Sequence, residues 1–259
     1  WRLNDGNQLL SGINATVETI AGDSFDGRKA ALLCSLYAQD TMTLADGVLS
    51  LVPGLRFDLA PDFDGGSPLW MVTPKLSLRY SPAEQTALRF SYGMGYKLPT
   101  LKEKYWVFYH SYSSGEGNFI LYGNPALRSE KSHGINLSVE QHVGGVLTCT
   151  AGAYVNYVKD LITSVVTDAT TSPQIRTYEN VDTAFTYGGE LGASFSYARV
   201  AAALGYAYTA AKAYDASQQL WQDVALRVTH RITLDASFII PVLEAKLSLR
   251  GEWNSPQLV

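Results

Sequence analysis

The sequence predicts an all-β chain, an antiparallel up-and-down transmembrane β-barrel, and three observations carry that prediction. Apolar and polar residues alternate with a period of two over runs of ten or more residues, the links between runs are short and long in turn, and aromatic residues gather near the run ends. Helical 3.6-residue periodicity appears nowhere over a useful length.

Taken in order, Leu49, Leu51, Leu55, Phe57 and Leu59 alternate with Ser50, Gly54, Arg56 and Asp58. Trp70, Val72, Leu76, Leu78 and Tyr80 oppose Thr73, Lys75, Ser77 and Arg79, and Leu88, Phe90, Tyr92, Met94 and Tyr96 oppose Arg89, Ser91, Gly93, Gly95 and Lys97. Ile135, Leu137 and Val139 alternate with Asn136, Ser138 and Glu140. Phe185, Tyr187, Leu191, Phe195 and Tyr197 stand opposite Thr186, Glu190, Ser194 and Ser196, and further runs follow at Leu204 to Tyr208, Ile232 to Ile240 and Ala245 to Glu252. The pattern amounts to about eleven strands, many longer than the five or six residues usual in soluble sheets.

Short turns are expected at Ala45 to Gly47, Ser81 to Glu84, Val143 to Gly145, Ala198-Arg199 and Pro241 to Glu244. Longer links fall between them, at Asp23 to Arg28, Ala60 to Pro68, Leu98 to Lys131, Thr167 to Ser172 and Lys212 to Gln219. A soluble sheet with one wet face also alternates. It has no reason to gather its long loops at one end, nor to place Trp70, Tyr80, Tyr96, Tyr187, Tyr197 and Trp253 near strand ends, where membrane-spanning barrels carry aromatic girdles. Lys75, Arg79, Arg89 and Glu190 then face a hydrated lumen.

Composition agrees. Of 259 residues, 46% are hydrophobic and 17% charged, against roughly 25% charged in soluble domains. No segment approaches the ~18 consecutive apolar residues of a membrane helix, and the best, Val200 to Ala211, is broken by Gly205 and Thr209. A net charge of -4 gives no basic surface for nucleic acid. Cys34 and Cys149 lack metal or redox spacing, and a meander holds them about five strands apart, ~24 Å, so they read as free thiols. The chain opens at Trp1-Arg2-Leu3 without an export signal, as expected if the signal was removed or this is an internal piece.

The stretch from Phe90 to Ser132 carries two boxes. Tyr96-Lys97-Leu98-Pro99 with Thr100-Leu101-Lys102-Glu103 ends one strand, and Asn124-Pro125-Ala126-Leu127 with Glu130-Lys131-Ser132 opens the next. In the same order run Leu36-Tyr37-Ala38-Gln39-Asp40, Pro53 to Asp58, Pro74 to Tyr80, and Tyr178-Glu179-Asn180-Val181 followed by Gly189-Glu190-Leu191. Together these motifs resemble TonB-dependent outer-membrane receptors of the haem, cobalamin and siderophore uptake type. The resemblance implies a Gram-negative outer-membrane location, contact with outer-membrane lipid, coupling to the TonB complex through segments not in this chain, and a small-molecule iron or cobalt chelate as ligand. It also implies that residues 1–259 are the C-terminal portion of a barrel of about 22 strands, with the plug domain absent. Lys97 stands where Arg is commoner, and Ser129 where Pro often precedes the Glu.

Pro99 and Pro125 lack the N–H of a paired strand, so they end the ladder where the chain leaves and re-enters the barrel. The box residues Tyr96, Lys97, Pro99, Asn124, Pro125, Leu127 and Glu130 therefore read first as a conformational lock on one long loop, with Glu130 and Lys131 on the inner wall or rim. Between the boxes, Trp106, Tyr109, His110 and Tyr112 offer stacking area and an imidazole. Haem receptors of this class resemble this arrangement, which makes His110 the candidate ligand of a haem iron and Tyr109 and Tyr112 its alternates. No intrinsic cofactor is expected, haem being a transported ligand, and the bland alternative is loop packing with an exposed His110. His133, His142 and His230 read as structural. The expected function is active import of haem or another iron complex, with cobalamin as the alternative ligand. An outer-membrane barrel enzyme is the reading from another class. It would need a nucleophile, base and orienting group at one height, and only Ser132-His133 with Asn136, and Asp223 with His230, lie near enough in sequence. The chain is therefore expected not to be an enzyme.

Overall fold

A computed structural model describes residues 6–61, 68–111, 117–215, 220–224 and 228–257. The strands are β1 (Asn7–Ile20), β2 (Lys29–Leu44), β3 (Leu49–Ala60), β4 (Leu69–Ala83) and β5 (Thr86–Lys97). Then come a one-turn helix α1 (Leu101–Tyr105), β6 (Val107–His110), β7 (Phe119–Tyr122), β8 (Glu130–Val143), β9 (Leu147–Asp168), β10 (Gln174–Tyr197), β11 (Val200–Asp215), β12 (Leu220–Asp223), β13 (His230–Ile240) and β14 (Ala245–Asn254). Eleven of these form an antiparallel meander in the order β1-β2-β3-β4-β5-β8-β9-β10-β11-β13-β14, while β6, β7 and β12 lie off the path.

Register fixes which side chains share a face. Leu51, Leu78, Phe90, Leu137 and Ala153 pair in succession across β3, β4, β5, β8 and β9. One residue along, Ser77, Ser91, Asn136 and Tyr154 make the equivalent row on the opposite face. The apolar face stays open: Leu36, Leu55, Leu137, Leu191, Leu204 and Leu249 are all more than half exposed. Only Ala87, Leu101, Leu121, Leu127, Ile162, Ala210 and Ala211 are buried hydrophobics among the described residues. A soluble sandwich of this size packs a core between two sheets, whereas this sheet buries its apolar face in lipid.

Short connections occupy one end, at 45–48, Glu84-Gln85, 144–146, Ala198-Arg199 and 241–244. Gly144 and Gly145 both take positive φ, 59° and 69°, which a side chain disfavours. The expected turn at Ser81 to Glu84 moves to Glu84-Gln85, because Ser81-Pro82 stay within β4 at a register irregularity between Tyr80 and Ala83. The opposite end carries the longer connections, except that residues 169–173 are short because β9 and β10 themselves run for 22 and 24 residues. Those lengths exceed the 9–11 residues that span a bilayer, so the pair projects beyond it and β7 adds to β10 in parallel through Gln174↔Phe119 to Thr177↔Tyr122.

Prolines sit where the ladder lapses. Pairing of β2 with β3 skips from Gln39↔Gly54 to Met42↔Leu51 around Pro53, and pairing of β4 with β5 stops at Lys75↔Gly93, beside Pro74. Both positions spare a hydrogen bond that proline cannot donate. Cys34 on β2 and Cys149 on β9 are free, with four strands between them. β1 and β14 form the edges of the sheet, and in lipid such edges require strand partners.

Leu137→Arg puts a guanidinium at mid-strand on the lipid face, and the bilayer-embedded protein should lose about 2–4 kcal/mol of unfolding free energy in urea. Asn136→Arg, on the lumen face, should cost far less; equal losses would contradict the assignment of faces.

Candidate functional site

The long connection between β5 and β8 begins at Lys97, the last residue of β5, which pairs in register with Glu130, the first of β8. Lys97 Nζ bridges two carboxylates, Glu103 Oε1 at 2.7 Å and Glu130 Oε1 at 3.1 Å. Glu130 Oε1 also accepts the backbone N–H of Ile162 at 3.0 Å, tying the base of the loop to β9. Thr100 and Glu103 form a capping box: the Thr100 hydroxyl accepts the Glu103 N–H at 3.2 Å, and Glu103 Oε2 accepts the Thr100 N–H at 2.8 Å. This box nucleates α1, a helix that apolar periodicity cannot reveal because it is five residues long.

The chain returns against the same helix. Gly123 donates to the Trp106 carbonyl and Asn124 to that of Glu103, at 2.7 and 2.8 Å. A Cβ on Gly123 would fall 2.5 Å from the Tyr105 nitrogen, so only glycine permits this approach. Asn124 Oδ1 accepts the Ala126 N–H at 2.9 Å in an Asx turn, and its Nδ2 donates to the Tyr178 carbonyl on β10 at 2.9 Å. Pro125 lies inside that turn. Asn180 accepts the Arg128 N–H and donates to the Arg128 and Asp160 carbonyls. Leu101 and Leu127 are buried beneath these bonds.

Below the first box lies a group that sequence reading missed. Asp58 is 1% exposed; Ser35 Oγ donates to its Oδ1 at 2.6 Å, and Arg56 Nε approaches both oxygens at 2.9 and 3.0 Å. Tyr96, near the end of β5, lines a small crevice together with Asp58. The available signal was Arg-x-Asp on the lumen face of β3, paired with a serine. A cavity of about 190 Å³ where α1 meets β1 and β2 is lined by Glu18, Leu33, Leu98, Pro99, Leu101 and Tyr105, smaller than the roughly 300–1,000 Å³ of usual ligand pockets.

Above the locked base stands an aromatic wall. Trp106 and Phe108 stack with centroids 4.6 Å apart, His110 stacks on Phe119 at 4.8 Å, and the Arg176 guanidinium lies 4.7 Å from the Phe119 centroid. Register places Phe108, His110, Phe119 and Arg176 on one face of the β6-β7-β10 sheet. Period two sends Tyr109, 68% exposed, to the other. Of the sequence candidates, the structure therefore brings His110 and Trp106 together, separates Tyr109 from them, and leaves Tyr112 outside the described residues. No cluster of three metal-ligating groups exists among the described residues; the wall offers one imidazole, flat apolar rings and a guanidinium. That set can stack a planar ligand, supply one axial nitrogen to iron, and pair with an anionic substituent.

The catalytic combinations do not assemble. Ser132 pairs with Gly95 on the lumen face while His133 points outward and meets the Tyr92 hydroxyl at 2.9 Å. His230 Nδ1 is engaged by Tyr206, and Asp223 lies 4.0 Å from Lys212. Glu130 and Lys131, expected together at the inner wall or rim, divide: Glu130 faces inward and Lys131 is exposed on the outer face.

A family model described as TonB dependent receptor-like, beta-barrel, matches residues 1–254. Comparison with curated sequences finds no relative. Among solved structures, the siderophore receptor PirA from Pseudomonas aeruginosa is 20% identical with a TM-score of 0.76, covering 97% of this chain and 45% of its own. A mutant of the ferric enterobactin receptor PfeA from the same organism is 21% identical at TM-score 0.75, covering 97% and 39%. The FrpB iron transporter from Neisseria meningitidis, F3-3 variant, is 17% identical at 0.72, covering 97% and 40%. The chain thus spans less than half the length of these structures.

Burial of Glu103 opposes its charge, yet hydrogen bonds from Lys97 and Thr100, with the charge of Lys97, hold its carboxyl below the usual range. A lowered folded value means the stabilisation is present above the unfolded carboxyl value and is lost as pH falls through the folded one. Protease cleavage within 98–129 should therefore rise on acidification of the bilayer-embedded protein. Glu103→Gln should cleave readily even at neutral pH and lose that step; an unchanged profile would refute the lock.

Proposed function

We propose, proceeding from the fact that the chain belongs to the TonB-dependent receptor β-barrel family, that it is part of the wall of a receptor that captures haem or another iron complex and imports it with TonB-derived energy. The chain lies in the outer membrane of a Gram-negative bacterium, and its family is one of transport receptors. The observation that carries the haem reading is His110, half-buried and stacked on Phe119 beside Phe108 and Trp106.

On this reading the wall meets the ligand from outside. Phe108, Phe119 and Trp106 offer planar surface to a porphyrin, His110 supplies an imidazole nitrogen to its iron, and Arg176 approaches from β10 with a charge suited to a carboxylate. The two boxes keep the base of the loop fixed while ligand binds above, and coupling to TonB runs through segments outside this chain. The structural relatives, one named as a siderophore receptor and one as an iron transporter, support an iron-complex ligand in general.

Titrating the intact receptor with haemin should give a Soret band that His110→Ala weakens about tenfold or more in affinity, as expected for loss of an iron-ligand bond worth at least about 1.4 kcal/mol. An unchanged Soret titration would remove His110 from the site. Tight binding of cobalamin with none of haemin would overturn the iron reading.

A further inference from the structure

We infer that the outward face of β8 and β9 carries a binding site for the phosphate of an outer-leaflet glycolipid, built from Lys131 and Lys159 with His133 and Tyr157 beneath them. Lys131 and Lys159 are direct cross-strand partners. Both are exposed, and they lie on the same face as Ile135, Leu137 and Tyr157, which are 42%, 55% and 37% exposed. That is the face turned to lipid, so neither amine points to the lumen or to the iron-complex site.

Two like charges directly opposite on one face destabilise a strand pair, with Cβ atoms about 4.5–5.5 Å apart. Among the described residues neither lysine enters an ion pair: Glu130 is taken by Lys97 on the inner side, and Asp160 by Arg128. A single phosphate between the amines turns this repulsion into two charge-assisted contacts.

Height selects the source of that phosphate. Two residues down, about 7 Å, His133 pairs with Tyr157, and His133 Nδ1 meets the Tyr92 hydroxyl at 2.9 Å with the two rings stacked. The same arrangement recurs at Tyr206 and His230, and a chain of ring contacts runs from Phe185 through Tyr187 and Tyr208 to His230. This is an aromatic girdle at the water-facing edge of the hydrocarbon. It lies at the end of the sheet that bears the long connections, where the chain faces the outside medium. The lysine pair stands one step above it, at headgroup level, where basic side chains take up anionic lipid. His133, with Nδ1 engaged by Tyr92, keeps its other ring nitrogen for a hydroxyl of the same headgroup on this proposal.

The test uses the intact receptor in detergent, probed with bisphosphorylated lipid A, dephosphorylated lipid A and inorganic phosphate. Wild-type protein should retain the bisphosphorylated lipid over the dephosphorylated form, and millimolar inorganic phosphate alone should not raise its melting temperature. Lys131→Gln with Lys159→Gln should weaken retention roughly 30-fold, on the scale of two surface amines. Lys131→Arg with Lys159→Arg should restore it, and Lys75→Gln on the lumen face should leave it unchanged. Equal retention of the two lipids by wild type overturns the proposal even if the glutamine variant fails to fold. Equal stabilisation by inorganic phosphate overturns the lipid as its source.

Discussion

Hydrocarbon offers no hydrogen bonds to a backbone, so every N–H and C=O that crosses it must be paired within the protein. The eleven-strand ladder answers that requirement, and it fixes much else. An unbroken ladder allows each side chain only two directions. Leu137 therefore meets lipid while Asn136 beside it meets water, and the prolines fall where pairing lapses, at Pro53 and Pro74 within strands and at Pro99 and Pro125 outside them. The same two-sidedness rules out a Ser132-His133 dyad and separates His110 from Tyr109.

The candidate site depends on how the chain leaves this ladder. A connection of over thirty residues between β5 and β8 would by itself sample many conformations, at an entropic cost to any ligand that orders it. Lys97 between two carboxylates, the Thr100 cap, the Asn124 turn and the close pass of Gly123 remove that freedom at the base. Extension of β10 beyond the bilayer then gives β7 and β6 a rigid edge to build on. His110 and its aromatic neighbours are thus carried on sheet rather than on loose loop, which is how a site keeps its geometry without a ligand present.

Much of the barrel was legible in the sequence, since period two follows from pleating alone. The runs through Leu51, Leu78, Phe90 and Leu137 name both the strands and their lipid face. What escaped had other physical origins. The helix α1 is too short for periodicity, although Thr100-Leu101-Lys102-Glu103 is a capping box in plain view. The parallel pairing of β7 with β10 joins residues some fifty positions apart, and nothing local encodes it. The Asp58 group needed partners from two strands. Lys131 read as an inner-wall residue together with Glu130, yet adjacency in a strand means opposite faces. Carrying the alternation back from Ile135 would have turned Lys131 outward. In the site, the boxes were legible as a lock and the aromatic cluster as a surface, but which aromatics share a face with His110 required the register.

Every assignment of a side chain to lipid or lumen depends on the alternation of β8. Nitroxide labels placed one at a time from Ser132 to Val139, with Cys34 and Cys149 replaced by Ala in the bilayer-embedded receptor, report collision with oxygen in lipid and with a nickel chelate in water. Oxygen accessibility should peak at positions 133, 135, 137 and 139, and nickel accessibility should follow the opposite phase. A flat profile, or one with a period near 3.6, would contradict the barrel and every facing argument built on it.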